Sequence, residues 1–158
     1  MQPQSVTRQP TILLVEDDDD TRRVYGMTLR HAGFLVVEAA TGADGVERAI
    51  AEVPDLILMD MNLPMFDGWE AARRIKSNPR TSAAPLIAFS ALIDSIADLR
   101  RDNALFDGYI AKPVNPSELL RRVAAYLELL GPLQPAQSRA TRRRVAGAPA
   151  TSASAALL

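Results

Sequence analysis

No cysteine occurs in the 158 residues, and histidine occurs once, as His31. The first absence excludes disulfides and thiolate nucleophiles, and it suits a reducing compartment. The second excludes a paired-histidine metal site and argues against a Ser-His-Asp triad. Long apolar runs are missing too: none approaches the roughly 20 residues that a membrane helix needs. The opening MQPQSVTRQP is polar and contains proline, unlike the apolar centre of a secretory signal. Nor is there an excess of one charge. With 18 Lys and Arg against 19 Asp and Glu the formal net charge is -1, which offers no bulk attraction to nucleic acid or anionic membrane. Together these absences lead to the expectation of a cytoplasmic protein with no membrane insertion and no direct nucleic-acid partner.

What is present is an alternation. TILLV (11–15), FLVVEA (34–39), DLILMD (55–60), PLIAFS (85–90) and GYIA (108–111) are short, nearly continuous apolar runs, as expected of strands buried on both faces. Between them lie helical patterns. One runs from about Thr21 to His31, with Val24, Met27 and His31 on one side and Gly33 placed to cap its end. Thr41 and Asp44 form a capping-box pattern that opens a helix with the stripe Val46, Ala49, Ile50 and Val53. Trp69, Ala72 and Ile75 mark a third helix, and a fourth is expected from about Asp94 to Ala104. Asn115, Pro116 and Glu118 supply an N-cap, a first-position proline and a capping partner for the last helix, which carries Leu119, Leu120, Val123, Ala124, Leu127 and Leu130. Five strands alternating with five helices argue a three-layer α/β sandwich, a (βα)5 unit around a parallel sheet. The expected boundaries are a disordered segment 1–10, a domain 11–130 and a low-complexity tail 131–158. That tail is rich in Ala, Pro, Ser, Thr and Arg and has little to bury.

In open parallel α/β sheets, ligands bind beyond the carboxyl ends of the strands. Here the first strand runs into EDDDD (Glu16 to Asp20), the third ends at Asp60, the fourth at Ser90, and the fifth is followed by Lys112 and Pro113. Converging carboxylates repel one another unless a cation neutralises them. An oxygen-only donor set points to a hard ion such as Mg²⁺, which also accepts phosphate oxygens. Lys112 and Ser90 suit an incoming phosphoryl group, and Asp60 can accept it covalently as an acyl phosphate. The acids from Asp18 to Asp20 exceed what such a site needs. Their placement at a helix N-terminus accounts for them as solvated groups favoured by the helix dipole.

ILLVEDDDDTRR, DLILMDMNLPMFDGWE, LIAFSA and DGYIAKPV, in that order, resemble the signature of the receiver domain of two-component response regulators, over about residues 11–130. The resemblance implies a flavodoxin-like strand order 2-1-3-4-5. It implies that Asp17 and Asp60 ligate Mg²⁺ directly, Glu16 through water and Asn62 through its backbone carbonyl. Asp60 falls at the phosphoacceptor position, Ser90 and Lys112 at the phosphoryl-binding positions, and Tyr109 at the aromatic switch coupled to Ser90. The Lys112-Pro113 bond falls where relatives often have a cis peptide, and Leu105 stands where relatives usually have glycine.

The function so implied is a stand-alone, chemotaxis-type receiver, because 28 residues after Leu130 leave little room for an output domain. Its donor would be a sensor histidine kinase or histidine phosphotransfer protein. Its downstream target would be a protein docking on the face of the 94–104 helix, the fifth strand and the last helix, with the chain a monomer or a phosphorylation-dependent homodimer. It would be no turnover enzyme, catalysing only its own Mg²⁺-dependent phosphorylation and dephosphorylation. Two other classes are open to the sequence. One is a phosphorylation-independent interaction module acting through its tail. The other, an aspartyl phosphatase, is disfavoured because Asn62 stands where a second aspartate is usual.

Overall fold

The structure is a computed structural model, and it describes residues 8–64, 68–91 and 105–128. Five strands, β1 (Thr11–Val15), β2 (Leu35–Ala39), β3 (Leu56–Asp60), β4 (Leu86–Ser90) and β5 (Gly108–Ala111), form one parallel sheet in the order β2-β1-β3-β4-β5. The helices within the described residues are α1 (Asp19–His31), α2 (Gly42–Glu52), α3 (Gly68–Ser77) and α4 (Pro116–Glu128). The helix expected over 94–104 and the tail from 131 lie outside the described residues. The α/β fold and its strand order are as expected.

Successive strand residues point to opposite faces, so each strand serves two cores. Leu13, Val15, Ile57, Met59 and Ala88 face Ala49, Ala71, Ala72 and Ile75 of α2 and α3. Ile12, Leu14, Leu56, Leu58, Ile87 and Phe89 face Tyr25 and Leu29 of α1 and Leu119, Val123 and Leu127 of α4. All residues of β3 and β4 are buried, which is why their sequences lack polar alternation. A fully buried Leu or Ile side chain of this kind contributes roughly 1.5–3 kcal/mol.

The helix ends follow local chemistry. At the end of α1, Gly33 (φ 96°) donates to Arg30 O and Phe34 N donates to Leu29 O, with Phe34 packed in the same core as Leu29. This is a Schellman closure in which only glycine is free of strain. Thr41 Oγ1 accepts from Asp44 N, but the Asp44 carboxylate turns away to Arg48, so only half of the expected capping box forms. Asn115 caps α4 by accepting from Glu118 N at 2.9 Å.

One helix face differs from expectation. Val24 and Met27 are 56% and 62% exposed and His31 is exposed, whereas Tyr25 and Leu29 are buried. Tyr25 meets Phe89 edge-on, with centroids 4.9 Å apart. Both stripes have helical spacing, and it is the aromatic contact with β4 that turns Tyr25 inward. The N-terminal segment is also tied down before β1. Arg8 pairs with the buried Asp55 at 2.7 Å, and Leu35 N donates to Pro10 O. Among the described residues no helix is long and apolar enough to cross a membrane.

Candidate functional site

β1 and β3 are neighbours in the sheet, and both end at the same edge. Their ends therefore deliver Glu16 and Asp17 beside Asp60. One carboxylate oxygen from each of these three lies within 4.8 Å of the others, with Glu16 and Asp60 buried and Asp17 exposed. Asp18 turns aside: its side chain caps α1 by accepting from Thr21 N at 2.7 Å, and Asp19 and Asp20 sit in the first helical turn. Hydrogen bonding from Thr21, by its side chain first and its backbone N–H second, holds the Asp18 carboxyl below its ordinary pKa.

Lys112 follows β5, whose neighbour β4 adjoins β3, and Lys112 N donates to Ser90 O at 2.9 Å. Its ammonium donates to Glu16 Oε2 and stands 3.5 Å from Asp60 Oδ2. The Phe89 ring lies beneath it, 5.0 Å from Nζ to the centroid, an arrangement that favours the cation. Burial disfavours the Lys112 charge, but Glu16 and Asp60 more than offset this and lift its pKa above the ordinary lysine value. Burial pushes the Glu16 carboxyl up; the hydrogen bond from Lys112 opposes the push, and the Asp60 charge adds to it. Three carboxylates against one ammonium leave two negative charges in excess, in a pocket too buried for water to screen them fully.

Ser90 is buried at the end of β4, and Tyr109 is half-buried on β5 against the α2/α3 core. Asn62 N donates to Asp60 Oδ1 at 2.9 Å, which fixes the rotamer of Asp60 from the chain that follows it. The Lys112-Pro113 peptide is cis. Leu105 packs half-buried against the α2/α3 core, and β5 forms without the expected glycine. Every residue expected at the site therefore lies at the carboxyl edge of the sheet or on β5.

Three residues escaped the sequence reading. Gly68, at the start of α3, packs where a Cβ would stand 2.4 Å from Asp60 O, so only a hydrogen lets α3 approach the β3 end. Phe89 supports Lys112 from below. Arg22 of α1 donates to Glu16 O at 2.9 Å. The bareness of glycine was readable as a close-approach signal, but the acceptor of Arg22 is a backbone carbonyl, which leaves no mark in the side-chain pattern.

A buried aspartate at a strand end, two further acids and one lysine bring together the kind of oxygen donors that a hard cation takes. The sequence profile of the response regulator receiver domain matches residues 12–124, and the chain belongs to that family. It is 38% identical over 118 residues to transcriptional regulatory protein AfsQ1 of Streptomyces coelicolor, covering 75% of this chain and 51% of that protein. It is 35% identical over 121 residues to an uncharacterized 14.6 kDa protein of Leptolyngbya boryana, covering 75% of this chain and 90% of that one. Among solved structures, the receiver domain of a Pseudomonas aeruginosa sensor histidine kinase, with a magnesium ion coordinated in its active-site cleft, superposes with a TM-score of 0.68. It is 33% identical and covers 76% of this chain and 98% of that domain. The chain spans about half the length of the transcriptional regulators it matches. Receiver domains of two-component systems accept a phosphoryl group on an aspartate and partner with histidine kinases. The oxygen donors of Glu16, Asp17 and Asp60 fit the magnesium ion seen in the Pseudomonas relative.

Proposed function

We propose that this chain is a stand-alone, chemotaxis-type receiver in which Asp60 takes the phosphoryl group from a phosphohistidine of a sensor kinase or phosphotransfer protein. The observation that carries the assignment is the position of Asp60: buried at the end of β3, within 4.8 Å of Glu16 and Asp17 oxygens and 3.5 Å from Lys112. Mg²⁺, held by Asp17, Asp60 and the Asn62 carbonyl with Glu16 acting through water, would neutralise the excess negative charge and that of the incoming phosphoryl group. An Asp60 carboxylate oxygen attacks phosphorus in line, and the donor N–P bond breaks as the new O–P bond forms. Lys112 and the Ser90 hydroxyl hold the phosphoryl oxygens, so catalysis is positioning and charge stabilisation. Water later cleaves the acyl phosphate, returning Asp60.

The output rests on Ser90 and Tyr109. Drawing Ser90 toward the phosphoryl group makes room for Tyr109 to turn inward and changes the outer surface of β5 and α4. That surface carries a cleft lined by Ile110, Val114, Asn115, Glu118 and Arg122, and Arg122 donates to Tyr109 O at 3.3 Å. Arg122 thus ties α4 to the main chain of β5 beside Tyr109, and a downstream protein would dock on this face.

Incubation with acetyl phosphate and Mg²⁺, followed by intact-mass measurement, tests the chemistry. A metal-dependent phosphoryl adduct is expected on the wild type and none on Asp60→Asn. An adduct that survives the substitution would reject Asp60. A second reading, a receiver serving a DNA-binding output, draws on the similarity to AfsQ1. An immunoblot of the native protein separates the two readings, since a species near 17.2 kDa favours the stand-alone form and one about half as large again the regulator.

A further inference from the structure

Of the three acids at the site, Asp17 is the exposed one, and among the described residues its side chain makes no hydrogen bond. Its aim must come from the backbone. The peptide linking Glu16 to Asp17 is planar, so fixing the Glu16 carbonyl fixes the direction in which Asp17 leaves β1. Glu16 N donates to Ala39 O at 3.0 Å, and Glu16 O accepts from Arg22 Nη1 at 2.9 Å. Both polar groups of the Glu16 backbone are thus held, one by β2 and the other by Arg22.

Arg22 is held in its turn. Its side chain is 18% exposed, and its guanidinium bonds Asp19 and lies 3.7 Å from Glu38 Oε2 on β2. Arg30 binds the other oxygen of Glu38 at 2.8 Å. The absence of a side chain at Gly26 is what lets Glu38 lie across α1, because a Cβ there would stand 2.3 Å from Glu38 Oε1. A planar fork with fixed donors transmits this arrangement, where a flexible ammonium would not.

We propose that Arg22 is a positioning residue of the metal site, orienting Asp17 through the Glu16–Asp17 peptide and anchored by Glu38. This rests on the Mg²⁺ reading above. Removing groups that orient metal ligands typically weakens metal binding about 10–100-fold. The role has a sign that electrostatics alone does not share. Arg22 is a cation near a cation site, so as a bare charge it repels Mg²⁺. Its neutralisation would tighten binding, and a Lys in its place would change nothing.

The test is titration of Mg²⁺ into the unphosphorylated full-length chain by isothermal calorimetry, with metal-free thermal unfolding run in parallel. Arg22→Lys and Arg22→Gln are both expected to weaken Mg²⁺ binding, by about tenfold, without a matching fall in metal-free Tm. Gly26→Ala changes no charge and adds helix propensity, yet it displaces Glu38, so it too should weaken binding. Unchanged binding in Arg22→Lys and Gly26→Ala, with tighter binding in Arg22→Gln, would overturn the positioning role. A wild-type chain that does not bind Mg²⁺ would overturn the metal reading itself.

Discussion

β3 is bracketed by two buried aspartates, Asp55 before its first residue and Asp60 as its last, and their surroundings have nothing in common. Asp55 accepts from the Arg8 guanidinium and from Thr11 N, each at 2.7 Å. Its charge is matched, and it stitches the chain before β1 to the sheet. Asp60 meets two further carboxylates, shares one lysine with them and receives Asn62 N. A matched buried carboxylate is a clamp, whereas an undermatched one gains by having a cation beside it. The residue type is the same at both ends of the strand, and the balance of charge and donors decides the role.

The sharpest way to separate the two is to remove each charge. Asp60→Asn should abolish phosphoryl incorporation while leaving metal-free Tm unchanged or raised, because it relieves repulsion among like charges and Lys112 keeps Glu16. Asp55→Ala should do the reverse. It should cost about 3 kcal/mol in chemical denaturation, since two hydrogen bonds to a charged acceptor are lost, and still accept phosphate when folded. Equal destabilisation by both substitutions would erase the distinction.

Next in size is Gly68→Ala. The new Cβ would stand 2.4 Å from Asp60 O and 2.9 Å from the Met61 Cα, and backbone cannot move aside as a side chain can. Overpacking of this kind costs about 1–3 kcal/mol, and the shift falls on Asp60, the proposed phosphoacceptor. Both stability and the phosphorylation rate should drop. Gly108→Ala makes the instructive contrast, because its obstacle is the outer edge of the Tyr126 ring and its hydroxyl, a side chain and not backbone. A loss of phosphorylation from Gly108→Ala as large as that from Gly68→Ala would contradict this account.

The same contrast shows what the sequence could disclose. Strands buried on both faces declared themselves as unbroken apolar runs, and the carboxyl-edge rule then pointed to the run Glu16 to Asp20, to Asp60, Ser90 and Lys112; within that run, Glu16 and Asp17 were singled out by the receiver resemblance alone. Caps at Gly33, Thr41 and Asn115 were legible because each is local, decided within a few residues. The partners of Asp55 were not, since Arg8 lies 47 residues away along the chain. Nor was the inner face of α1, where Val24–Met27–His31 and Tyr25–Leu29 satisfy helical spacing equally well. That choice was made by Phe89, on a strand more than fifty residues later. Arg22 was hidden for a third reason, an acceptor that is main chain.

The smallest effect concerns two glutamates whose surroundings pull their pKa values in opposite directions. Burial, with Asp60 nearby, raises that of Glu16, whereas hydrogen bonds from Arg121 and Arg122 lower that of Glu118 from 4.5 to about 2. For Glu118 the folded state favours the charged form. Its contribution is therefore present above pH 4.5 and is lost as pH falls toward about 2. For Glu16 the sign reverses: stability is greatest below its ordinary pKa and declines as pH rises through its raised folded value. Glu118→Gln should accordingly lower Tm slightly at neutral pH, and the gap from wild type should close as the buffer is acidified from pH 5 toward 2. The gap should be small throughout, because Glu118 and Arg122 are half-open and Arg121 fully open to water and salt, which screen the pairs. A gap that widened on acidification would mean that Glu118 contributes through something other than its charge.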